Sequence, residues 1–432
     1  MASNQESLKP SLKQPRNIAT ILSIVIPGLG QIYNKHFIKG IILFLITVSF
    51  LIATWDYLDM GIWGIFTLGT IPREHHSIQL LIQGLISLIL LFFAIALYIF
   101  NIRDARKDAI AREEGKPNPG FVKAASDFYN KGFPYFMILP GFVMLLFVVV
   151  LPLAFMFALA FTNYNQYNAP PRNLLDWVGF ENFLNLVNVG IWQDTFLSVF
   201  TWTIVWTVLA TTLQIVLGLF LALLVNDKRV KFKRTIRTIL ILPWAVPAFV
   251  SILIFAALFN PTFGAINLDI LSNFNIMIPW LSDPFWAKVA LIMIQTWLGF
   301  PFVFALFTGV LQSVPADMYE AAEIDGSNRA QKFRFITLPH LLFATAPLLI
   351  MQYAGNFNNF NIIYLFNEGL PAVRGQNAGG TDILISWVYK LTFETNNYNM
   401  AAAITIIMGL IVSIFAFFQF RRTAAFKEEG RY

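Results

Sequence analysis

EAAEIDGSNRAQKFRFITLP, residues 320–339, is a polar island between two apolar runs, and the rest of the chain is laid out around it. Glu320, Ala321 and Ala322 are followed after three residues by Gly326, after nine more by Ile336, and then by Leu338 and Pro339. Pro315 upstream suits the first turn of a helix. Asp317, Glu320 and Glu323 put negative charge toward that helix's N-terminal half, where the dipole favours it. Gly326 supplies a left-handed C-cap. Ser327 then caps a second helix whose Arg329, Lys332 and Arg334 face water until Pro339 ends it. Two short helices around a glycine make a knob that can dock in a groove on another protein. The charges alone fit a solvated loop equally well; the full spacing points to docking.

Composition decides the class. The 432 residues are 57% hydrophobic and only 12% charged, with mean hydropathy +0.64, which excludes an ordinary soluble domain and makes the chain an all-α polytopic membrane protein. The net charge of +6 does not indicate nucleic acid, because the basic residues cluster beside apolar spans, as membrane topology requires. With no cysteine there is neither a disulfide framework nor a thiolate metal site. Lys9, Lys13 and Arg16 precede an apolar run, but no small-residue cleavage site follows, so the N-terminus is expected to be retained.

Read in order, residues 1–36 form an N-terminus whose segment 18–33, broken by Pro27, Gly28 and Gly30, is too short for a lipid-facing span and reads as interfacial or re-entrant. Residues 37–101 hold a pair of spans, at 37–55 and 78–100. Between these two, Arg73, Glu74, His75 and His76 offer no third ligand nearby and read as a solvated loop rather than a metal site. Residues 102–133 are a charged linker carrying Arg103, Arg106, Lys107, Arg112, Lys116 and Lys123 with Asp104, Asp108, Glu113 and Glu114. Residues 134–420 are a core of six spans, near 135–161, 196–225, 235–259, 286–311, 341–366 and 399–420, with the docking loop at 312–340; residues 421–432 are a tail. Eight spans return both ends to one side.

Basic residues choose that side. The N-terminus, the 102–133 linker, the run Lys228, Arg229, Lys231, Lys233, Arg234 and Arg237, the 320–339 loop, and a tail with Arg421, Arg422, Lys427 and Arg431 all fall together. The opposite loops hold only Arg73, Arg172, Arg374 and Lys390, with Lys288 at a span entrance. Both termini, and the knob, are therefore expected in the cytoplasm.

Between residues 136 and 366 the spans hold essentially no Asp, Glu, Lys or His at membrane depth, which disfavours an ion-coupled carrier. No G-x-x-x-x-G-K-[ST] occurs, so if ATP drives transport another chain binds it. No nucleophile, base and orienter converge by motif, so an enzyme is not expected. Polar and aromatic residues recur at helical spacing in three trios: Trp244, Ala248 and Ser251; Gln295, Gly299 and Phe302; Gln352, Asn356 and Asn359. Each trio is expected on one helix face. Together they could line a cavity for a neutral, hydroxyl-rich solute, or simply hold helices together. Pro243, Pro247 and Pro347 predict kinks, and the run Gly355 to Asn361 is too polar to face lipid.

The spacing of 320–339 resembles the cytoplasmic coupling loop of binding-protein-dependent ABC importer permeases. From about Tyr135 onward the chain is similar to the larger permease subunit of maltose/maltodextrin importers, on LILPWAVPAFVSILIFAALFNPTFGAIN (240–267), TWLGFPF (296–302), NFNNF (356–360), GGTDILISWVYK (379–390) and MAAAIT (400–405). The resemblance implies a type I ABC importer permease core with two extra N-terminal spans. It implies a maltodextrin held midway across the membrane by Trp244, Ala248, Gln295, Leu298, Gly299, Phe302, Gly355, Asn356 and Asn359. In that light Ala248 lacks a hydroxyl, Gly355 lacks an aromatic ring and Gln295 is a longer amide than the site calls for, so a roomier cavity is expected.

The resemblance further implies a second permease subunit forming a heterodimer and two ATP-binding subunits docked on Glu320, Ala321, Ala322, Gly326, Ile336, Leu338 and Pro339. An extracellular solute-binding protein delivers sugar, and alternating access moves it; ATP and Mg sit on the partners, with no cofactor or metal on this chain. The loop at 162–195 is too short for the folded insertion of Gram-negative relatives, which implies a Gram-positive cell membrane. The rival readings are an ABC permease for another oligosaccharide, glycerol phosphate being disfavoured because the three faces offer no Arg or Lys, and a permease-like receptor or scaffold that moves no solute.

Overall fold

Proline and glycine placement, more than propensity, decides where this helical chain bends. The computed structural model describes residues 14–116, 121–227 and 229–422. Lys9, Lys13, Lys228, Lys427 and Arg431, used above to orient the chain, lie outside the described residues. By internal contacts the chain forms two compact units, Met1–Trp177 and Val178–Tyr432.

In the first unit, α1 (Pro15–Val25) and α2 (Leu29–Tyr33) form a helical hairpin packed along α3 (Phe37–Thr67) and α4 (Ser77–Glu113). Gly28 makes the turn with φ +89°, and a Cβ there would sit 2.1 Å from the Gly40 carbonyl oxygen, so only glycine fits. The hairpin is tied to α4 by side chains: the Asn101 Oδ1 accepts the Gly28 N–H at 3.1 Å and the Gln31 amide donates to the Asn101 carbonyl at 2.9 Å. Lys39 bridges Asp104 and Asp108. The charged segment from Arg103 to Glu113 is not loop but the continuation of α4, a helix that runs on beyond the apolar window with its charges paired or exposed. In the 68–76 turn, His75 Nδ1 accepts the Thr70 and Ile71 N–H groups while its ring packs on Trp63. Then follow α5 (Phe121–Leu145), a π-helical turn at Leu146–Val150, and α6 (Leu151–Leu159).

The second unit contains α7 (Glu181–Asn188), α8 (Gly190–Asn226), α9 (Lys233–Ala245), α10 (Ala248–Leu258), α11 (Pro284–Leu311), α12 (Ala316–Ile324), α13 (Arg329–Lys332), α14 (Leu338–Phe357), α15 (Phe360–Asn367), α16 (Leu384–Phe393) and α17 (Tyr398–Arg422). Its spine is the pairing of α8 with α11. Small residues allow the close approach: a Cβ on Gly218 would meet Val303 at 2.8 Å, and one on Gly299 would meet the Gln214 side chain at 2.2 Å. Trp202, Trp206, Leu291 and Ile294 fill one end of the seam, and Phe300, Phe304 and Phe307 the other.

Among the described residues, seven helices are long and apolar enough to cross a membrane, or eight if the bent pair α9–α10 counts as one span. That pair is the fifth span, and the kink expected at Pro247 is a full break between two helices. The axes of α9 and α10 differ by 87°. Pro247 has no N–H to give and forces Val246 before it into extended geometry, so the helix stops at Ala245 and restarts at Ala248.

Three further expectations are corrected around the polar island. Pro315 is the N-cap of α12 rather than a first-turn residue. Asn328, not Ser327, caps α13, its Oδ1 accepting the Gln331 N–H at 2.9 Å while the Gln331 side chain accepts the Asn328 N–H at 2.8 Å. Pro339 does not end a helix. A π-helical turn at Phe333–Thr337 widens the spiral just before it, and α14 continues through. The same device precedes Pro152, where the turn Leu146–Val150 leads into α6.

Candidate functional site

The polar residues singled out in the spans do not sit on three continuous faces. Trp244 lies on α9 and Ala248 on α10, on opposite sides of the 87° break, and Asn359 lies past the end of α14, at the N-cap of α15. Helical spacing therefore fails for the first and third trios, because each straddles a point where the helix stops. Gln295, Leu298, Gly299 and Phe302 do share one uninterrupted helix, α11.

Two kinds of environment result. Gln295 and Asn356 are deeply buried, at 8% and 3% exposure. The Gln295 Nε2 donates to Asn356 Oδ1 at 2.8 Å, the Asn356 Nδ2 donates to Thr211 Oγ1 at 2.8 Å, and the Asn356 carbonyl accepts the Trp206 indole N–H at 2.9 Å. Gln214 joins the chain from α8, donating to the Gln295 carbonyl at 3.0 Å and accepting from the Gln352 amide at 3.2 Å. This amide network stitches α8, α11 and α14 together with its donors matched, as burial demands.

The second environment is open. Trp244 is 57% exposed and meets Phe302 edge-on with centroids 5.9 Å apart. Ala248 and Gly355 are exposed, and a Cβ on Gly355 would meet nothing within 4 Å. Asn359 is half-buried with no side-chain capping bond, and Leu298 packs partly buried against the α8–α11 core. The Trp244–Phe302 pair offers an apolar platform, and Asn359 and the open Gly355 backbone offer hydrogen-bonding groups without charge.

Thr211 and Gln214 were not singled out from sequence. The signal was present: Thr203, Thr207, Thr211 and Gln214 run at helical spacing down α8 and are all buried.

At one end of α11 and α14 stands the knob. Glu320 and Ala321 are exposed on α12, Ala322 is half-buried, and Gly326 turns the chain with φ +77° and open space around its Cβ. Ile336 and Leu338 are half-buried in the following turns, and Pro339 is exposed. Lys332 pairs with Glu323, and the Tyr319 hydroxyl meets Thr337 Oγ1 at 2.9 Å, which fixes α12 against the turn before α14. Ile324, 86% exposed, adds an apolar tip beside Gly326 that sequence reading passed over.

At the other end of α14, the segment between α15 and α16 is held by Asp382, whose side chain is fully buried. It takes the Gly379 N–H at 2.7 Å, the Ser386 hydroxyl at 2.8 Å and the Lys390 ammonium at 2.7 Å. Burial pushes the Asp382 carboxyl up from its ordinary range, and the Lys390 charge and these hydrogen bonds pull it back.

Residues 214–424 match the family described as binding-protein-dependent transport system inner membrane component. The chain is 53% identical over 419 residues to the galactooligosaccharides transport system permease protein GanP of Bacillus subtilis, spanning 96% of this chain and 100% of that one. It is 46% identical to the maltodextrin transport system permease protein MdxF of the same organism, over 97% and 98% of the two chains. Against the maltodextrin transport system permease protein MalC of Streptococcus pneumoniae it is 45% identical, over 96% and 98%. A crystal structure of a bacterial ABC transporter that imports the acidic polysaccharide alginate shares the fold, with TM-score 0.57 at 22% identity, covering 68% of this chain and 96% of that one.

Proposed function

The chain belongs to the family of binding-protein-dependent transport system inner membrane components, and on that premise we propose that it carries a short neutral oligosaccharide across the cell membrane by alternating access. It is a permease subunit of a sugar ABC importer, not an enzyme; ATP is hydrolysed by separate subunits. The observation that carries the sugar class is its whole-length likeness to permeases named for galactooligosaccharides and for maltodextrins. The higher identity to the former puts galactooligosaccharides first and maltodextrins second.

The geometry supports an uncharged cargo. Trp244 and Phe302 can cover the C–H faces of a sugar ring, and Asn359 beside the open Gly355 backbone can bind its hydroxyls. In this state Gln295 and Asn356 spend their amides on each other and on Thr211, so they would meet sugar only after α11 and α14 part. The conformation described is then one in which the amide layer is closed.

In this reading the knob sits in the cytoplasm, with both termini, in a Gram-positive cell membrane. A second permease subunit completes the passage, and two ATP-binding subunits, which hold the ATP and Mg, grip the knobs of the pair. Glu320, Ala321 and Gly326 form the gripped surface; Ile336, Leu338 and Pro339 join it stiffly to α14. Closure of the motors tilts α11 and α14 and opens the amide layer, and a solute-binding protein supplies sugar from outside.

The test is uptake by the full importer in proteoliposomes with labelled galactotriose and maltotriose in competition. ATP-dependent accumulation with the galactose sugar preferred is expected. Accumulation of neither would leave a receptor or scaffold as the better reading, and preference for maltotriose would reverse the order of the two sugars.

A further inference from the structure

Four aromatic rings on α15 and α16 form a connected set. Phe360 and Tyr364 stack at 5.0 Å with planes 20° apart, Tyr389 lies 4.8 Å from Phe360 and 5.0 Å from Tyr364, and Phe393 lies 4.8 Å from Tyr389. The set begins beside Asn359 and ends at Phe393, which is 70% exposed. It lies at the end of α14 away from the knob. Trp206 in the same unit behaves differently: it is fully enclosed and donates its N–H to a carbonyl.

We propose that Phe360, Tyr364, Tyr389 and Phe393 are a sugar-binding ladder at the mouth of the passage, taking the apolar faces of successive pyranose rings as an oligosaccharide threads toward Trp244 and Asn359. This rests on the transport reading above and adds a site to it. Two observations select the occupant. Phe393, the exposed ring, and half-buried Tyr389 stand on α16, which is outside the helices long and apolar enough to cross a membrane, so lipid does not require them; Phe360 and Tyr364 stand on α15, at the end of the candidate span 329–367. Lys390, the cation next in sequence to Tyr389, is committed to Asp382, while Glu368 and Glu394 at the edges of the set are exposed acceptors. Rings flanked by carboxylates suit a neutral polyol and repel an anionic chain.

The ladder engages more rings of a longer chain, so its loss should weigh on length. In the reconstituted importer, Phe393→Ala and Tyr389→Ala are each expected to lower subsaturating uptake of a pentasaccharide about 2- to 10-fold while disaccharide uptake and the saturating rate stay near wild type. Phe393 is exposed, so its variant keeps the test sound if Tyr389→Ala fails to assemble, and Tyr389→Trp, which keeps a ring, should restore uptake. Equal loss for all lengths, no loss at any length, or a defect that follows lipid composition or loss of the second permease subunit would each overturn the ladder while leaving the transport reading standing. Absence of oligosaccharide uptake by the unaltered importer would remove both.

Discussion

Gln295 on α11 and Asn356 on α14 are joined by one 2.8 Å hydrogen bond inside a layer closed to solvent. The Asn356 amide also donates to Thr211, and the backbone carbonyls of Gln295 and Asn356 accept from Gln214 and Trp206, so the pair sits at the centre of a network. Replacing Asn356 with Leu strands the Gln295 amide and the Thr211 hydroxyl, at a cost of about 1–3 kcal/mol each. In a double-mutant cycle with Gln295→Leu, the thermal stability of the purified importer should show coupling of about 0.5–3 kcal/mol. Additive losses would mean that the amides are not linked.

Two glycines near this layer should respond in opposite ways. Gly299→Ala drives a methyl into Gln214, whose side chain lies 2.2 Å from the added carbon, and should destabilise the subunit and reduce its yield in membranes. Gly355→Ala meets open space and should leave yield unchanged. Gly355→Tyr puts a ring into the proposed sugar space. It should therefore shift competition toward shorter sugars, read as the ratio of disaccharide to pentasaccharide uptake.

Much of this was legible in the sequence, and the failures have a common cause. The polar island announced itself because charge and glycine interrupt apolar runs, and the spans announced themselves by length. Helical spacing failed where proline broke the helix: it joined Trp244 to Ala248 although Pro247 lies between them and forbids one continuous face. Pro339 was misread in the opposite direction, since a π-helical turn can absorb a proline that would otherwise stop a helix. Ser327 and Asn328 are neighbours of equal capping ability, and only the reciprocal bond with Gln331 separates them. Gln214 went unnoticed because a single amide in an apolar helix resembles packing until its partners on α11 and α14 are seen.

The Asp382–Lys390 pair gives a pH signature. In the native protein the ammonium offsets the cost of burying the carboxylate; Lys390→Met removes that offset and should destabilise the subunit by about 3–5 kcal/mol near neutral pH. With the Asp382 carboxyl then raised by burial, the protonated form is favoured in the folded state. The variant should accordingly be most stable at low pH, below the ordinary carboxylate range, and lose that stability as pH rises through the raised value. Thermal melts of Lys390→Met between pH 4 and 8 check this (about 4 being the ordinary Asp value). Asp382→Asn in the same background should abolish the pH trend.

Gly326 is the most direct place to test coupling between the knob and its partner. Its φ of +77° makes any other residue cost about 1 kcal/mol, but a Cβ there would meet nothing within 4 Å among the described residues, so in the proposed importer a large side chain is expected to act chiefly on whatever grips the knob. The decisive measurement is ATPase rate and sugar uptake, taken together on Gly326→Trp importer in proteoliposomes with the sugar-loaded binding protein. Uptake should vanish and sugar should no longer stimulate ATP hydrolysis, while the variant subunit still reaches the membrane in normal amount. Wild-type uptake with wild-type stimulation would contradict the claim that this elbow transmits the motor's stroke.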